Sequence, residues 1–243
     1  MTRTVSRAVI LAAGNGDRFR NPTRDSKLLQ PLLGQPILLR TLESAYDAGI
    51  RSVTVVLGYQ ADRVRALVES GAPRGLHVSF VLNPEWRLEN GVSAQAARTA
   101  VGGERFALLM GDHMFEPPVL QRMLRLDVEP GESLLAVDAR RVPADVAAEA
   151  TKVRRDGTRI VAIGKDLAVY DALDTGVFVF SPVLFGALDL ARATGDTTLS
   201  GGVRQLAARG LMRAVETGDA TWCDIDTLSD LAAAESALGA PSA

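Results

Sequence analysis

The feature that most constrains the fold of this chain is an apolar run that ends in a glycine-rich turn. Residues 8–13 are apolar at every position, which is typical of a parallel strand covered on both faces. Gly14 and Gly16 follow, and they allow a sharp turn whose backbone N–H groups point at an anion. Arg18 and Lys27 add two cations close to this turn in sequence. The combination predicts a strand and turn that hold a nucleoside triphosphate.

Other interpretations of this segment fit less well. A dinucleotide-binding loop would place a third glycine where the chain has Phe19, and a P-loop would need Gly-Lys-Ser/Thr, which the sequence does not contain. An NAD-dependent oxidoreductase is therefore disfavoured. A non-catalytic nucleotide-binding module and an ordinary strand and turn with solvated charges stay open, although Lys27, Asp112 and Asp224 favour an enzyme.

Composition excludes several classes of protein. The 243 residues suit one domain, and the net charge is −2 without a basic block, which disfavours a general nucleic-acid binder. Cys223 is the single cysteine, which excludes an internal disulfide and fits the reducing cytoplasm. No apolar run approaches the roughly 20 residues that span a bilayer, and the N-terminus lacks the core of a signal peptide. We therefore expect a cytoplasmic protein without a membrane span.

The first half of the chain alternates predicted strands and helices. Strands are predicted at residues 8–13, 52–57, 77–82 and 106–110, and helices at 37–48, 62–69 and 93–101. Such alternation predicts an α/β fold, a Rossmann-like three-layer arrangement with a mostly parallel sheet and helices on both faces. Ligands bind such folds beyond the carboxyl ends of the strands, which is where the glycine turn lies.

The second half predicts a different arrangement. Residues 151–155 and 159–163 flank Asp156-Gly157, which is a hairpin signal. Further strands are predicted at 174–180 and 211–216, and helices at 182–193, 202–209 and 229–238. We interpret the chain as a single domain with a nucleotide-binding half at about residues 1–130. The acceptor-binding half, for the second substrate, would span about residues 131–243 and carry a small β-hairpin lobe.

Acidic residues follow one predicted strand and recur near the end of the chain. The strand at 106–110 runs into Gly111 and Asp112, which places this carboxylate at the carboxyl edge of the sheet. Asp224 and Asp226 come more than a hundred residues later. Mg²⁺ prefers a few carboxylates together with substrate phosphates and water, so these three aspartates are the candidate metal ligands.

Simpler roles stay open for the same residues. Asp112 could occupy a turn or cap, and Asp224 and Asp226 could cap the last helix, with Asp226 the more typical cap. His113 has no partner set of Cys or His for a zinc site or a catalytic triad. A substrate contact, a supporting contact and a purely structural role therefore stay open for His113.

Short motifs in a fixed order extend this interpretation. They are Leu-Ala-Ala-Gly-Asn-Gly-Asp-Arg at 11–18, Lys27, Glu-Asn-Gly-Val-Ser at 89–93, Leu-Met-Gly-Asp-His at 109–113, Glu-Ala-Thr-Lys at 149–152, Ile-Gly-Lys-Asp-Leu at 163–167, Asp-Thr-Gly at 174–176 and Trp-Cys-Asp-Ile-Asp-Thr at 222–227. From about residue 8 to about residue 234 the chain resembles the sugar-phosphate nucleotidyltransferases. More narrowly, it resembles the CTP:inositol-1-phosphate cytidylyltransferases. The opening motif is common to the superfamily, whereas those between 111 and 176 are more specific to the inositol branch.

The resemblance implies a role for each matched position. The nucleotide-binding positions would be Leu11, Ala12, Ala13, Gly14, Gly16, Asn90, Gly91 and Ser93. The catalytic cations would be Arg18, Lys27, Lys152 and Lys165, with Lys165 on the acceptor phosphate. The acceptor would be bound by Glu149, Asp174, Thr175 and Gly176, and the Mg²⁺ cofactor by Asp112, Asp224 and Asp226. Simpler roles stay open here too, because Lys152 and Lys165 could be solvated ends of a hairpin and Asp174 could cap a turn.

The resemblance also implies the reaction. A phosphomonoester has a second pKa of about 6, so it is mostly dianionic at neutral pH and attacks without a general base. CTP and inositol 1-phosphate would give CDP-inositol and pyrophosphate by in-line attack on the α-phosphorus. Phosphocholine, a sugar 1-phosphate, another cyclitol phosphate and another nucleoside triphosphate stay open as substrates. Few aromatic residues lie in the second half to form a cage around the choline ammonium.

One further partner follows from the resemblance. Some members of the family carry a fused membrane domain that transfers the cytidylylated inositol onto a second alcohol. We therefore expect a functional link between this chain and a separate membrane phosphotransferase.

Overall fold

The computed structural model describes residues 5–19, 25–140 and 144–239. The strands are β1 (Arg7–Ala12), β2 (Pro31–Leu32), β3 (Gln35–Pro36), β4 (Ser52–Leu57), β5 (His77–Leu82), β6 (Phe106–Met110), β7 (His113–Phe115), β8 (Ser133–Asp138), β9 (Lys152–Asp156), β10 (Arg159–Gly164), β11 (Ala172–Phe180), β12 (Met212–Glu216) and β13 (Trp222–Asp224). The helices are α1 (Ile37–Asp47), α2 (Ala61–Gly71), α3 (Asn90–Ala96), α4 (Arg98–Val101), α5 (Pro117–Arg125), α6 (Ala144–Glu149), α7 (Val183–Ala193), α8 (Leu199–Ala207) and α9 (Leu228–Gly239). Within these described ranges, no helix combines the length and the apolar composition that crossing a membrane requires.

Nine of the strands form one mixed sheet in the order β5-β4-β1-β6-β11-β8-β12-β10-β9. β5, β4, β1 and β6 are parallel, and β12 is parallel to β8. β11 runs antiparallel to β6 and β8, and β10 runs antiparallel to β9 and β12. The expectation of a mostly parallel sheet is thus corrected for the second half of the chain. The chain reaches β11 from a hairpin and not through the helical crossover that parallel neighbours require.

β1 lies inside the sheet and is covered on both faces. Ala8, Ile10 and Ala12 belong to the core under α1, α2 and α5, whereas Val9 and Leu11 belong to the core under α3, α7 and α8. Burial on both faces explains why this strand is apolar without alternation. The two cores and the sheet between them form the predicted three-layer α/β fold.

Boundaries in the first half follow the sequence pattern closely. β4, β5 and β6 span the predicted residues, while β1, α1 and α2 differ by one or two residues at their ends. The helix predicted at 93–101 begins instead at Asn90 and is interrupted at Ala97, which gives α3 and α4. Gly91 lowers the helix propensity at this start. A Cβ there would lie 2.6 Å from Thr197 O, so α3 packs tightly against the segment that precedes α8.

The second half departs further from the prediction. The β9–β10 hairpin forms around Gly157, whose φ of +59° favours glycine. α8 begins at Leu199 instead of 202 because Thr198 caps it, with Oγ1 accepting a hydrogen bond from Gly201 N at 2.9 Å. The predictions omit seven elements that the structure contains, namely β2, β3, β7, β8, β13, α5 and α6.

Chemically important residues collect at one edge of the sheet. β1 and β6 run parallel and end at this edge, just before the glycine turn and Asp112. β8 also ends here, and β11 begins here, since Leu173 pairs with Asp138. Both halves of the chain therefore contribute to the edge at which open α/β sheets bind ligands.

Candidate active site

A tight turn joins β1 to the side chain of Lys27. Gly16 has a φ of +64°, and a Cβ at this position would lie 3.2 Å from Lys27 Cγ. Phe19 N donates a hydrogen bond to Gly16 O at 2.8 Å, which closes the turn. Lys27 begins a short 3₁₀ helix, and its side chain is 9 % exposed. The turn thus covers the aliphatic part of Lys27.

Carboxylates surround the Lys27 ammonium. Its Nζ lies 2.6 Å from Asp112 Oδ2 and 2.6 Å from Asp226 Oδ1. Arg18 pairs with the other carboxylate oxygen of Asp226 and lies 3.7 Å from Glu149. Burial alone would lower the pKa of Lys27, but Asp112 and Asp226 raise it above its usual value, so the amine stays charged. The structure therefore brings together the two cations predicted beside the glycine turn and two of the three aspartates predicted as metal ligands.

His113 connects Asp112 to Asp224. Its Nδ1 lies 2.9 Å from Thr175 O, and because a carbonyl only accepts hydrogen bonds, Nδ1 carries the proton. Nε2 lies 3.4 Å from Asp224 Oδ1 and 3.8 Å from Asp112 Oδ1. Burial would lower the pKa of His113, but the two carboxylates raise it to about 10. Burial would raise the pKa of Asp224, but His113 and Lys27 hold it well below its usual range.

A divalent cation fits the group formed by Asp112, His113 and Asp224. One donor atom from each residue lies within 4.8 Å of the other two. Asp224 Oδ1 is buried, and its nearest donor among the described residues, His113 Nε2 at 3.4 Å, forms an ion pair but no well-aligned hydrogen bond with it. A buried carboxylate oxygen without a well-formed hydrogen bond is unfavourable, and a cation would satisfy it. The two carboxylates are hard oxygen ligands of the kind Mg²⁺ prefers, whereas His113 would first have to release its Nε2 proton.

Asp226 lies just before α9 but does not cap it. The cap is Thr227, whose Oγ1 accepts a hydrogen bond from Asp230 N at 3.1 Å. Asp230 Oδ2 in turn accepts hydrogen bonds from Thr227 N at 2.7 Å and from Asp226 N at 3.1 Å. The Asp226 carboxylate is thereby left for Lys27 and Arg18, outside the group that fits a cation.

The three residues of β11 that were predicted to bind the acceptor substrate, Asp174, Thr175 and Gly176, have different structural roles. Asp174 Oδ1 accepts a hydrogen bond from Gly176 N at 2.8 Å, and burial raises the pKa of Asp174 to about 6. Thr175 is buried, and its hydroxyl donates to Ala136 O at 2.9 Å. Gly176 has a φ of +75°, and a Cβ there would lie 2.2 Å from His113 Nδ1. Thr175 and Gly176 therefore support the strand and His113, while Asp174 offers a carboxylate.

The two hairpin lysines are linked to each other. Lys152 Nζ donates a hydrogen bond to Lys165 O at 2.6 Å and lies 5.8 Å from the ring centroid of Tyr170. Lys165 itself is exposed. Glu149, whose side chain is 79 % exposed, lies against Arg18 on the nucleotide side. Lys152 thus supports the backbone at Lys165, whereas Glu149, predicted on the acceptor side, contacts a cation of the nucleotide side.

Leu11, Ala12 and Ala13 are buried side chains at the end of β1. Leu11 O accepts a hydrogen bond from Gly111 N at 3.0 Å, which aligns the ends of β1 and β6. Gly14 is exposed, and a Cβ there would meet nothing within 4 Å. The three strand residues therefore set the position of the turn through their backbone.

Asn90, Gly91 and Ser93 lie on α3, where it packs against α8. Asn90 Oδ1 accepts a hydrogen bond from Leu199 N at 2.9 Å. Ser93 Oγ accepts a hydrogen bond from Asn83 Nδ2 at 3.0 Å, and both residues are buried. The structure thus uses Asn90 and Gly91 to join two helices, and Asn83 fixes the position of the Ser93 hydroxyl.

Thr41 is a supporting residue that the sequence interpretation missed. It is fully buried on α1, and its Oγ1 donates a hydrogen bond to Gly111 O at 3.1 Å, with His113 O at 3.4 Å. These carbonyls lie on either side of Asp112. The signal in the sequence is a polar residue on the apolar face of a helix, between Leu38 and Leu42.

The fold and the site together define the class of protein. An α/β sheet whose first strand ends in a glycine turn, with two cations and several aspartates at the same edge, is suited to binding a nucleoside triphosphate. Sequence comparison gives the family: the chain belongs to the MobA-like NTP transferase domain family, whose sequence model matches residues 8–209. Enzymes of this kind generally use a divalent metal ion.

Individual relatives within this family have more specific names. The chain is 37 % identical over 233 residues to the "Bifunctional IPC transferase and DIPP synthase" of Rubrobacter xylanophilus, covering 94 % of this chain and 51 % of the relative. The protein of the same name from Aquifex aeolicus is 31 % identical, and the match covers 96 % of this chain and 52 % of that relative. This chain therefore spans about half the length of these relatives.

A solved structure extends the likeness to the whole fold. The inositol-1-phosphate CTP transferase from T. maritima superposes with a TM-score of 0.84 at 25 % identity, and each chain is covered completely. A UDP-glucose pyrophosphorylase complexed with UDP-glucose superposes with a TM-score of 0.79 at 18 % identity, covering 97 % of this chain and 98 % of that one. The second likeness shows the fold alone.

Proposed function

We propose that this chain transfers the cytidylyl group of CTP to inositol 1-phosphate, giving CDP-inositol and pyrophosphate. The observation that carries the proposal is the cluster at the sheet edge, where Lys27, Asp112 and Asp226 meet within 2.6 Å contacts beside the glycine turn. The names of the curated relatives and of the T. maritima enzyme support the substrate pair. Because the relatives are about twice as long, the activity is proposed for this chain and not transferred from them.

Transfer of the cytidylyl group depends on cations positioned at the triphosphate more than on a general base. A phosphate oxygen of the acceptor forms a bond to the α-phosphorus of CTP, the bond from that phosphorus to the bridging oxygen breaks, and pyrophosphate leaves. The acceptor dianion is already a nucleophile at neutral pH. Lys27 and Arg18 neutralise the triphosphate, replacing their contacts to Asp226 with contacts to phosphate oxygens.

Asp112 and Asp224 are the proposed Mg²⁺ ligands. Their carboxylates converge from the turn after β6 and from β13, and Asp224 Oδ1 makes no well-aligned hydrogen bond with the described residues. When bound, Mg²⁺ would supply charge neutralisation at the phosphates. Asp226, held by two cations, then serves to orient Lys27 and Arg18.

The acceptor is proposed to bind between β11 and the hairpin. Asp174 offers a hydrogen-bond acceptor for a ring hydroxyl, and Lys165, supported by Lys152, offers a cation for the phosphate. Tyr170 is an aromatic residue beside Lys152, and the Lys152 ammonium lies over its ring. A single ring does not form the cage that a choline ammonium requires, so the site favours a polyhydroxylated ring.

A substrate screen tests the proposal. Pyrophosphate release is measured for CTP, UTP, GTP and ATP, each against inositol 1-phosphate, phosphocholine and hexose 1-phosphates. We expect CTP with inositol 1-phosphate to give the highest kcat/KM. The proposal fails if phosphocholine or a hexose 1-phosphate exceeds inositol 1-phosphate by tenfold or more, or if another nucleotide is clearly preferred over CTP.

Two expectations from the sequence remain predictions. A functional link to a separate membrane phosphotransferase would follow from the need to consume a CDP-alcohol, and a pull-down or co-expression assay for CDP-inositol turnover would test it. A cytoplasmic location is likewise a prediction, which fractionation of cells would test.

A further inference from the structure

β13, which carries Asp224, has little structural support of its own. It lies outside the nine-stranded sheet and pairs antiparallel with β7 over three residues, ending at Asp224 opposite His113. A two-stranded ribbon of this length is not stable by itself. Backbone hydrogen bonds from Ile225 N to Asp112 O and from Glu116 N to Thr221 O, both at 3.2 Å, extend the ribbon, and side-chain contacts of β13 add to the support that directs the Asp224 carboxylate.

The buried carboxylate of Asp138 provides such support. Asp138 lies at the end of β8, is 2 % exposed, and accepts a hydrogen bond on Oδ2 from Trp222 Nε1 at 2.8 Å. Arg140 donates to the same carboxylate through N at 2.9 Å, Nε at 2.9 Å and Nη2 at 2.8 Å. Burial would raise the pKa of Asp138, but the hydrogen bonds from Arg140 and Trp222 lower it below its usual value.

Arg140 extends this support to the backbone that enters β13. Its Nη1 lies 3.4 Å from Asp219 O and its Nη2 lies 3.2 Å from Ala220 O. The pair of Asp138 and Arg140 thus holds both the backbone before β13 and the first side chain of β13. Among the described residues, no hydrogen bond or ion pair joins Asp138, Arg140 or the Trp222 indole to Asp224, so any effect on Asp224 is indirect.

The geometry of a strand transmits this constraint. Side chains at positions i and i+2 project to the same face, so Trp222 and Asp224 share a face while Cys223 points to the other. Trp222 packs against the core under α1, whereas Cys223 packs against the separate cluster around Phe19 and Ile37. Anchoring the Trp222 indole therefore also sets the face, and hence the direction, of Asp224.

We infer that Asp138 and Arg140 are positioning residues that orient Asp224 toward the divalent cation by anchoring Trp222 and the backbone before it. The inference rests on the metal-binding role of Asp224 in the proposed function. Partners that orient a metal ligand commonly change metal affinity by about 10- to 100-fold when they are removed.

Binding of Mn²⁺ alone to the full chain tests the inference without any reaction. The free Mn²⁺ signal in electron paramagnetic resonance is titrated for the wild type and for Asp138→Asn, Trp222→Phe and Asp224→Asn. Trp222→Phe keeps an aromatic ring and removes the single Nε1–H donor. We expect the Mn²⁺ Kd to rise about tenfold in Asp138→Asn and at least threefold in Trp222→Phe.

Glu132→Gln is the matched control. Glu132 lies just before the other end of β8 and pairs with Arg213 at 3.3 Å, away from the site. We expect its Mn²⁺ Kd to stay within twofold of wild type. An equal loss of affinity in this control would overturn the inference, because it would show a general effect of disturbing β8.

The remaining outcomes separate the two proposals. If Asp224→Asn weakens Mn²⁺ binding but Asp138→Asn and Trp222→Phe do not, the inference is wrong and the proposed metal site stands. If Asp224→Asn leaves the Kd unchanged, the metal role and the inference both fail. If Asp138→Asn does not fold, Trp222→Phe alone decides, since it preserves the buried carboxylate and its arginine.

Discussion

At Lys27, burial of the side chain disfavours the charged amine, whereas the neighbouring carboxylates favour it. Removing an ammonium from water costs several kcal/mol, and a buried pair is favourable only with good geometry. Two carboxylates at 2.6 Å supply that geometry here. The free protein therefore holds a charged lysine ready at the turn, and an incoming triphosphate would find the cation already in place.

Replacing this cation should reduce turnover strongly. Lys27→Met removes the charge while keeping the apolar stem that packs under Gly16, so we expect kcat for pyrophosphate release to fall by about 10²- to 10³-fold. Arg192→Met is the control, because Arg192 forms an exposed pair with Glu85. A Lys27→Met enzyme with more than about a third of wild-type kcat would contradict the role proposed for the turn.

Asp174 carries a cost in stability that depends on pH. The carboxyl of the unfolded chain titrates near 3.8, whereas in the folded protein its pKa is about 6. Between these values the folded state binds more protons, so Asp174 lowers the free energy of unfolding as the pH rises from about 4 to about 6. We expect Asp174→Asn to stabilise the protein on the order of 2 kcal/mol at pH 7.5 and hardly at all at pH 4.

Urea unfolding at the two pH values measures this effect. Asp189→Asn is the control, since Asp189 is a half-exposed partner of Arg98, and it should not be stabilising. A gain for Asp174→Asn that is equal at both pH values would contradict the buried, proton-binding carboxyl.

The functional counterpart is Asp174→Ala, which should raise the KM for inositol 1-phosphate far more than the KM for CTP.

α1 acts on the site through one hydroxyl. The Thr41 hydrogen bond to Gly111 O lies at the junction of β6 and β7, next to Asp112. Thr41→Val keeps the shape and leaves a buried carbonyl without this donor, so we expect a loss of about 1 to 2 kcal/mol in the free energy of unfolding. Because Asp112 moves with this junction, kcat should also fall severalfold.

Thr54→Val provides the matched control for α1. Thr54 is also buried, and its hydroxyl pairs with Ser79 on the neighbouring strand at 3.0 Å, away from the site. It should lose stability without losing kcat once folded protein is compared. If the two variants lose stability and kcat in the same proportion, Thr41 has no specific relation to the site.

Most of the longer elements were predicted from their periodic pattern, although β8 and α5 were missed despite their length, and the shortest strands were missed altogether. β4 and β6 are runs of five or six mostly apolar residues, long enough for pattern to identify them. β7 and β13 have three residues each, and their pairing joins Asp224 to His113 across more than a hundred positions. No local pattern contains such a pairing, because it depends on the fold of the whole chain.

The same limit applies to the candidate site. The sequence predicts that Lys27, Asp112 and Asp224 lie at one sheet edge, since the strand ends and the motif order both point there. It does not predict that Asp226 contacts Lys27 or that Thr227 caps α9 in its place. Asp224 and Asp226 both lie close to the start of α9, and only the direction of each side chain distinguishes a cap from an ion pair.

The whole molecule assembles its site from segments that are remote in sequence. The first thirty residues supply Arg18 and Lys27, and the aspartates around these cations come from the turn after β6 and from the segment around β13. The mixed sheet makes this possible, because β11 enters between β6 and β8 and carries Asp174 and Gly176 to the edge where β1 ends. Gly176 then leaves room for the His113 ring between Asp112 and Asp224.

The last prediction distinguishes the three aspartates of this assembled site. Asp112→Asn and Asp224→Asn each remove one charge from the proposed Mg²⁺ ligands, so activity should fall and half-maximal activity should require at least fivefold more Mg²⁺, on the order of 1 kcal/mol of binding. Asp226→Asn should lower kcat through Lys27 and Arg18 while leaving the Mg²⁺ dependence nearly unchanged. Activity of each variant is measured across a Mg²⁺ titration at saturating CTP. A shifted Mg²⁺ dependence in Asp226→Asn, together with an unshifted one in Asp224→Asn, would assign the second ligand to Asp226 instead.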